Sequence, residues 1–459
     1  MENKLPSQTE MKLMRVLMFT LTFSAMSALM FNFVLPQLRE EFHLTTAQVS
    51  WVTSCYSLIY GIGTAIYGKL ADRFQLKNLL TFGLITFALG CLAGFASQAF
   101  WMVLLGRCMQ ALGAGTIPAT AMLIPLRYFP AERRGSAMGM AFVGLALGSA
   151  IGPVISALIV SKFNWRWLFI IPLLILFTLP AYRKYLIEEK QTTFGKFDGV
   201  GGTLLAASVS LILLGITGAW GYLLGGFLSL ALFIIRIKVT AEPFVQPKIF
   251  KNKTYTLGLM IAFLINGIGT SLYFLSPLFL SDVHHLSSSW TGFAMVPAAV
   301  ASAILGTFGG KLADKKGNPY LFIISSLLLI SCFLLLSTFS GISPIFLALF
   351  LILGNVGQTF IMIAISNSIV MTLPKEQAGI GMGLVGMLNF IAGGMASGIY
   401  GKLIDFNANV QWNPFNHYAS GFIYSNIFFV LAILYIGILL LYYFQFVKER
   451  TIQSSKSII

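Results

Sequence analysis

The sequence predicts an all-helical membrane protein of fourteen spans, and three observations predict it. Of the 459 residues, 57% are hydrophobic and only 10% charged, at a mean hydropathy of +0.83, a balance that no water-solvated surface carries. Fourteen apolar runs stand between the charged segments, most of them matching the roughly 20 helical residues that cross a bilayer. A six-residue turn occurs twice, as in internally duplicated membrane folds.

The runs lie near 16–37, 51–70, 79–100, 102–124, 136–159, 167–182, 199–217, 220–235, 255–278, 289–310, 319–339, 345–372, 378–400 and 421–446. The shortest two, 167–182 and 220–235, have Trp165, Trp167 and Trp220 beside them as interface anchors. Residues 16–37 are followed by further spans, so they read as a retained first helix and not as a cleaved signal. Loops are short except at 183–198, 236–254 and 401–420, and none of these is long enough for a catalytic domain. Cys55, Cys91, Cys108 and Cys332 fall within runs and read as small packing residues.

A net charge of +15 would suit nucleic acid, yet the basic residues gather at alternate span ends, which is how a membrane protein fixes its orientation. With residue 1 in the cytoplasm, Lys12, Arg15, Arg73, Lys77, Arg127, Arg133, Arg134, Arg183, Lys184, Lys238, Lys251, Lys315 and Lys316 all face inward. Only Arg39, Lys162, Arg166 and Lys402 fall outside. The expectation is an even span count, both termini cytoplasmic, a bacterial inner or plasma membrane as the solvent, and no nucleic-acid partner.

Gly68-Lys-Leu-Ala-Asp72-Arg73 recurs as Gly310-Lys-Leu-Ala-Asp314-Lys315, 242 residues later. That interval gives about 30 residues per span if eight spans separate the copies. The expected organisation is a six-helix bundle at 1–182, two additional helices with their linkers at 183–253, and a second six-helix bundle at 254–459. Each copy sets a small residue, Gly68 or Gly310, where helices approach closely, and a carboxylate, Asp72 or Asp314, where it can pair with a cation or a helix N-terminus. We read the pair as a gate latch at the cytoplasmic mouth.

Gly63 to Leu70 nearly spells a phosphate-binding loop, but Leu70 stands where a hydroxyl is required and the run is helical. No nucleotide or other cofactor is expected. Arg107 is the one charged side chain well inside a run, followed by Gln110 and Gly113; it either lines a wet cavity or snorkels to the interface. Gly144, Gly148 and Gly152 share one helix face that ends at Pro153, a face able to meet another backbone closely. Asn32, Asn266, Asn355, Gln358, Asn367 and Asn389 line a pathway or bond a neighbouring helix. His284 and His285 read as solvated loop residues, too few for a metal site. No nucleophile–base pair points to an enzyme.

Together these residues resemble the fourteen-helix drug:proton antiporters of the major facilitator superfamily, and among them the tetracycline efflux proteins of Gram-positive bacteria. The resemblance is carried by Asn32-Phe-Val-Leu-Pro36, Trp51-Val-Thr-Ser-Cys-Tyr56, Gly63 to Asp72, Arg107-xx-Gln110-xx-Gly113, Gly144-xxx-Gly148-xxx-Gly152-Pro153, Trp165-Arg-Trp167, Pro243-Phe-Val-Gln-Pro247 and Tyr424-Ser-Asn426. It implies a major facilitator fold whose bundles rock to expose a central cavity alternately, exporting a small amphipathic drug in exchange for protons and acting as a monomer in membrane lipid. It further implies a latch of Asp72 and Arg73 and proton transfer at Arg107; by span position alone, Asn32, Tyr56, Tyr60, Gln110, Tyr273 and Gln358, with Phe19 and Phe23, are expected at the cavity.

The sequence departs from that family in one respect. Proton-coupled relatives keep a carboxylate in the first, fifth or thirteenth helix, and here Ser27 and Ala28, Leu145 and Ala396 stand at those places. Glu40 and Glu41 are the remaining proton acceptors, with Arg107 expected near enough to tune them. An arginine releases its proton only above about pH 12, so Arg107 alone cannot shuttle one. The missing acid keeps open a second reading, a facilitator or symporter for a small metabolite, nutrient or peptide.

Overall fold

The computed structural model describes residues 7–71, 73–186, 198–406, 410–418 and 421–448, and among them there is no strand. Fourteen helical elements are long and apolar enough to cross a membrane. In chain order they are α1 (Thr9–Glu41), α2 (Thr46–Leu70), α3 (Leu76–Phe95), α4 (Phe100–Pro125), α5 (Val143–Lys162), α6 (Trp165–Tyr185), α7 (Gly199–Thr217) and α8 (Gly221–Val239). There follow α9 (Lys253–Asp282), α10 (Ser288–Lys316), α11 (Asn318–Thr338), α12 (Pro344–Val370), α13 (Ile380–Asp405) and α14 (Phe422–Phe446).

Local sequence explains the irregular ones. α1 loosens into a 3-10 turn at Phe31–Val34 and resumes as Leu35–Glu41 with Pro36 in its first turn, where a residue without an N–H costs nothing. α6 winds as 3-10 helix over Trp165–Phe169 and Ile171–Thr178, with Pro172 and Pro180 opening successive segments. A 3-10 helix rises about 2.0 Å per residue against about 1.5 Å for an α-helix, so a short apolar run reaches further across the bilayer. α2 begins on a reciprocal cap, in which Thr45 Oγ1 accepts from Gln48 N and Gln48 Oε1 accepts from Thr45 N.

The chain divides into two compact units, Met1–Gln246 and Pro247–Ile459. Within the first, α1 packs on α5, α2 and α3 on α4, and α3 on α6; within the second, α9 packs on α13, α10 and α11 on α12, and α11 on α14. The two patterns coincide helix for helix, so the repeat seen in one short turn extends to the whole packing plan. α7 and α8 pack on each other and belong to the first unit, where α7 lies along α2. Trp51 Nε1 donates to Thr217 Oγ1 (3.2 Å) at one end of that contact.

The glycine face of α5 lies directly on the backbone of α1. A Cβ at Gly144 or Gly148 would overlap the carbonyl oxygen of Met18 or Thr22, and one at Gly152 would touch Met26 O at 3.5 Å. Ser156 Oγ continues the seam by donating to Met30 O (2.9 Å). Spacing of four residues on both helices keeps the seam in register for about three turns.

In the second unit, the loop between α13 and α14 is anchored by asparagines. Asn413 Nδ2 donates to Ser337 Oγ (2.8 Å) and Asn416 Nδ2 to Ser340 Oγ (3.1 Å) and Ser425 Oγ (3.0 Å), while Phe415 stays 70% exposed. This loop tests orientation. A cysteine at Phe415 is expected to react with an impermeant maleimide from outside the cell, and reaction only from the cytoplasmic side would invert the topology.

Candidate functional site

Arg107 is fully buried and forms the centre of a polar cage in the first unit. Its Nε donates to Val52 O (3.3 Å), and its Nη1 to Ser27 O (3.2 Å) and Gln110 Oε1 (3.1 Å), so one side chain of α4 joins α2 and α1. Cζ lies 4.4 Å from the centroid of Phe31 and 3.9 Å from that of Tyr56, a stacking geometry that suits a weakly hydrated guanidinium. Gln110 Nε2 in turn donates to Cys91 Sγ at 3.0 Å on α3. Tyr56 Oη, Ser24 Oγ and Ser27 Oγ are buried nearby without a hydrogen-bond partner among the described residues. The snorkelling alternative is thereby removed, because the charge is held inward by carbonyls and rings.

Glu40 and Glu41 are not brought to Arg107. Arg107 grips α1 at Ser27, and Glu41 is 14 residues further on, about 21 Å along a helix. Both glutamates are exposed at the end of α1. Glu41 is instead held by α6, with Arg166 Nη1 2.8 Å from Oε1 and Trp165 Nε1 donating to Oε2 at 2.5 Å. Arg166 stacks on Trp165 (4.4 Å) and donates to Ser97 O (2.7 Å).

The other expected cavity residues divide between the units. Asn32 is buried and accepts from Thr53 Oγ1 (2.8 Å), and Tyr56 and Tyr60 stack with centroids 5.8 Å apart. Phe19 and Phe23 touch at 4.5 Å. In the second unit, Gln358 packs against Gly269 on α9 and accepts from Tyr435 Oη (3.2 Å) on α14, which is interhelical bonding, while Tyr273 is half-buried. An apolar cavity of about 490 Å³ lies between α9, α13 and α14, bounded by Phe263, Tyr400, Trp412 and Leu434.

Of the latch residues, Asp72 lies outside the described residues. Arg73 is half-buried, and Asp314 is exposed beside a cavity of about 360 Å³ with Asn318 and Asn367. Among the described residues, a Cβ at Gly68 or Gly310 would meet nothing within 4 Å. His284 is half-buried, not solvated: Nε2 lies 2.9 Å from Ser340 O and the ring meets Phe279 edge-on. Burial pulls its pKa below the ordinary value, opposed by the Ser340 carbonyl and aided by His285. No group of three metal-ligating side chains occurs among the described residues.

Two features escaped the sequence reading. Leu105-Gly106-Arg107-xx-Gln110 recurs as Leu353-Gly354-Asn355-xx-Gln358, on helices α4 and α12 that hold equivalent places, so the duplicated site carries its charge in one half only. Asp198, unremarked at the head of α7, is a buried carboxylate that accepts from Gly201 N (3.0 Å), Arg236 Nε (3.1 Å) and Phe244 N (3.2 Å).

The sequence profile of the Major Facilitator Superfamily matches residues 17–397. Multidrug resistance protein 3 of Bacillus subtilis is 29% identical over 68% of the chain, which spans 63% of that protein's length. Lincomycin resistance protein LmrB of Listeria monocytogenes is 28% identical over 80% of the chain and 81% of its own, and riboflavin transporter RibZ of Clostridioides difficile 24% over 94% and 96%. Among solved structures, an inward-facing, unoccupied bacterial homologue of the lysosomal transporter Spinster covers 97% of the chain and 99% of its own at a TM-score of 0.68 and 15% identity. A POT family transporter in complex with 5-aminolevulinic acid covers 94% and 95% at 0.70 and 16%, and at such identities the likeness is one of fold. The paired helix pattern, the fourteen spans and the profile lead to one statement: the chain is a multi-pass membrane transporter that belongs to the Major Facilitator Superfamily.

Proposed function

We propose that the chain exports small amphipathic drugs from a bacterial cell by alternating access, in exchange for protons. The observation that carries the reading is the glycine face, Gly144, Gly148 and Gly152, lying on the backbone of α1; it is the element by which the sequence resembles the antiporter branch. Similarity to Multidrug resistance protein 3 and LmrB supports it. The uncharged cavity walled by Phe263, Tyr400, Trp412 and Leu434 suits the apolar body of such a substrate. One chain holds both halves of the repeat, so a monomer suffices.

The basic end of α2, with Gly68, Asp72 and Arg73, and that of α10, with Gly310 and Asp314, each act as a gate element on the cytoplasmic side. The open space at Gly68 and Gly310 belongs to one state of the cycle, and their close approach to another. Arg107 fixes α1, α2 and α4 as a block that moves together. Proton uptake then falls to Glu40 and Glu41 at the outer mouth, Glu41 through its contact with Arg166 and Trp165 and not through Arg107.

Similarity to RibZ and the absence of a carboxylate at the three family positions favour a second reading, a carrier of a small metabolite without proton exchange. Proteoliposomes separate the two. Ethidium addition is expected to drive proton release in the parent protein, with the flux lost in Glu41→Gln and reduced in Glu40→Gln. Full flux in both variants would remove them as proton carriers. No flux in the parent, with saturable riboflavin uptake, would establish the second reading instead.

A further inference from the structure

We propose that Asp198 is a positioning residue of the gate, its buried carboxylate clasping the start of α7 and the end of α8 to the basic end of α2. The inference rests on the gate reading above and adds a role for α7 and α8. A single carboxylate there does three things. It caps the N-terminus of α7 through Gly201 N (3.0 Å), holds Arg236 near the C-terminus of α8 (3.1 Å), and fixes the following linker through Phe244 N (3.2 Å). Burial alone would push its pKa up, but the N–H of Gly201, the Arg236 guanidinium and the N–H of Phe244 outweigh this and leave it below the ordinary value. The charge is therefore kept.

The fixed linker reaches α2. Lys69 Nζ donates to Pro243 O at 2.6 Å and lies 5.3 Å from the centroid of the Phe244 ring. Phe244 is itself buried and packs over α7, its ring 3.3 Å from where a Cβ on Gly202 would stand. Lys69 is the residue between Gly68 and Leu70, inside the repeated turn. The chain of contacts thus runs from Asp198 through Pro243 and Phe244 to the gate element, while Trp51 and Thr217 brace the far end of α2. The second copy of the turn, Gly310 to Lys315, is followed directly by α11 and has no such helix pair behind it among the described residues. The additional helices restrain one gate element of two, and loosening them shifts the gate.

The test uses the full chain carrying Met371→Cys as reporter, an exposed position lining the cavity beside Asp314, and Cys108→Ala, since Cys108 is the native cysteine that is not fully buried. Labelling by an impermeant maleimide in everted vesicles, with and without ethidium, reads the open fraction of the gate. Asp198→Ala and Lys69→Met are each expected to change that labelling at least about three-fold and to lower ethidium transport, with Arg236→Lys nearer the parent than Arg236→Ala. Parental labelling in both variants, at a melting temperature showing them folded, would overturn the clasp. Should Asp198→Ala not reach the membrane, Lys69→Met decides, because it leaves the carboxylate's own bonds in place. A parent whose labelling ignores ethidium would sink the gate reading and the clasp with it, whereas a responsive parent whose variants label and respond as it does sinks the clasp alone.

Discussion

Arg107→Ala is expected to abolish drug export, reducing it at least about 100-fold at equal membrane content, the scale of about 3 kcal/mol. The side chain is the joint of three helices. Its removal takes the charge-assisted hydrogen bonds from Ser27 O and Val52 O, at roughly 1.5–3 kcal/mol for each bond to a charged group. It also empties the space between Phe31 and Tyr56. Arg107→Lys separates charge from geometry. An ammonium keeps the charge but has no planar fork to reach carbonyls on two helices while stacking between two rings. Arg107→Lys should therefore insert and fold yet export at least about ten-fold more slowly. Ethidium efflux from cells, normalised to protein in the membrane, checks both variants, and parental efflux in Arg107→Ala would show that the cage has no part in transport.

The fold was legible because bilayer physics leaves few options. Fourteen runs could only be helices, and the repeated Gly-Lys-Leu-Ala-Asp turn placed the duplication that the paired packing of α1 to α6 and α9 to α14 displays in full. The glycine seam was legible for a similar reason, since three glycines four residues apart on an otherwise apolar helix have little use except close approach. The location of Glu41 was not legible. Sequence gave its distance from the apolar run, but its partner Arg166 lies 125 residues away, and only packing of α6 against α1 brings the two together. Asp198 was hidden by its setting, a charged loop where a carboxylate ordinarily faces water; its burial depends on a linker 46 residues later folding back. Gln358 matched its role in one half by repeat and differed by environment: with Asn355 in place of an arginine, it turns to Tyr435 instead.

The glycines of the gate and of the seam are expected to fail in opposite ways, and the contrast tests the proposed cycle. Gly148→Leu forces a side chain into the carbonyl of Thr22 and against Ala25. Overpacking of well-fitted helices costs about 1–3 kcal/mol or more, and here the obstruction is backbone, which cannot turn aside. The variant should be recovered from the membrane in smaller amounts, melt lower and export nothing. Gly68→Leu meets no heavy atom of the described residues within 4 Å at its Cβ, and leucine favours helix over glycine by about 0.8 kcal/mol. Its melting temperature should equal or exceed the parent's. If the end of α2 must approach another helix closely to shut the gate, the same leucine blocks that state, and ethidium export should fall at least about 100-fold in a fully folded protein. Thermal melting of detergent-purified protein, set beside efflux in cells, reads both quantities for both variants. Parental efflux by Gly68→Leu would mean that no close approach occurs at that glycine in any state the cycle visits, and the repeated turn would then be an orientation signal and not a gate.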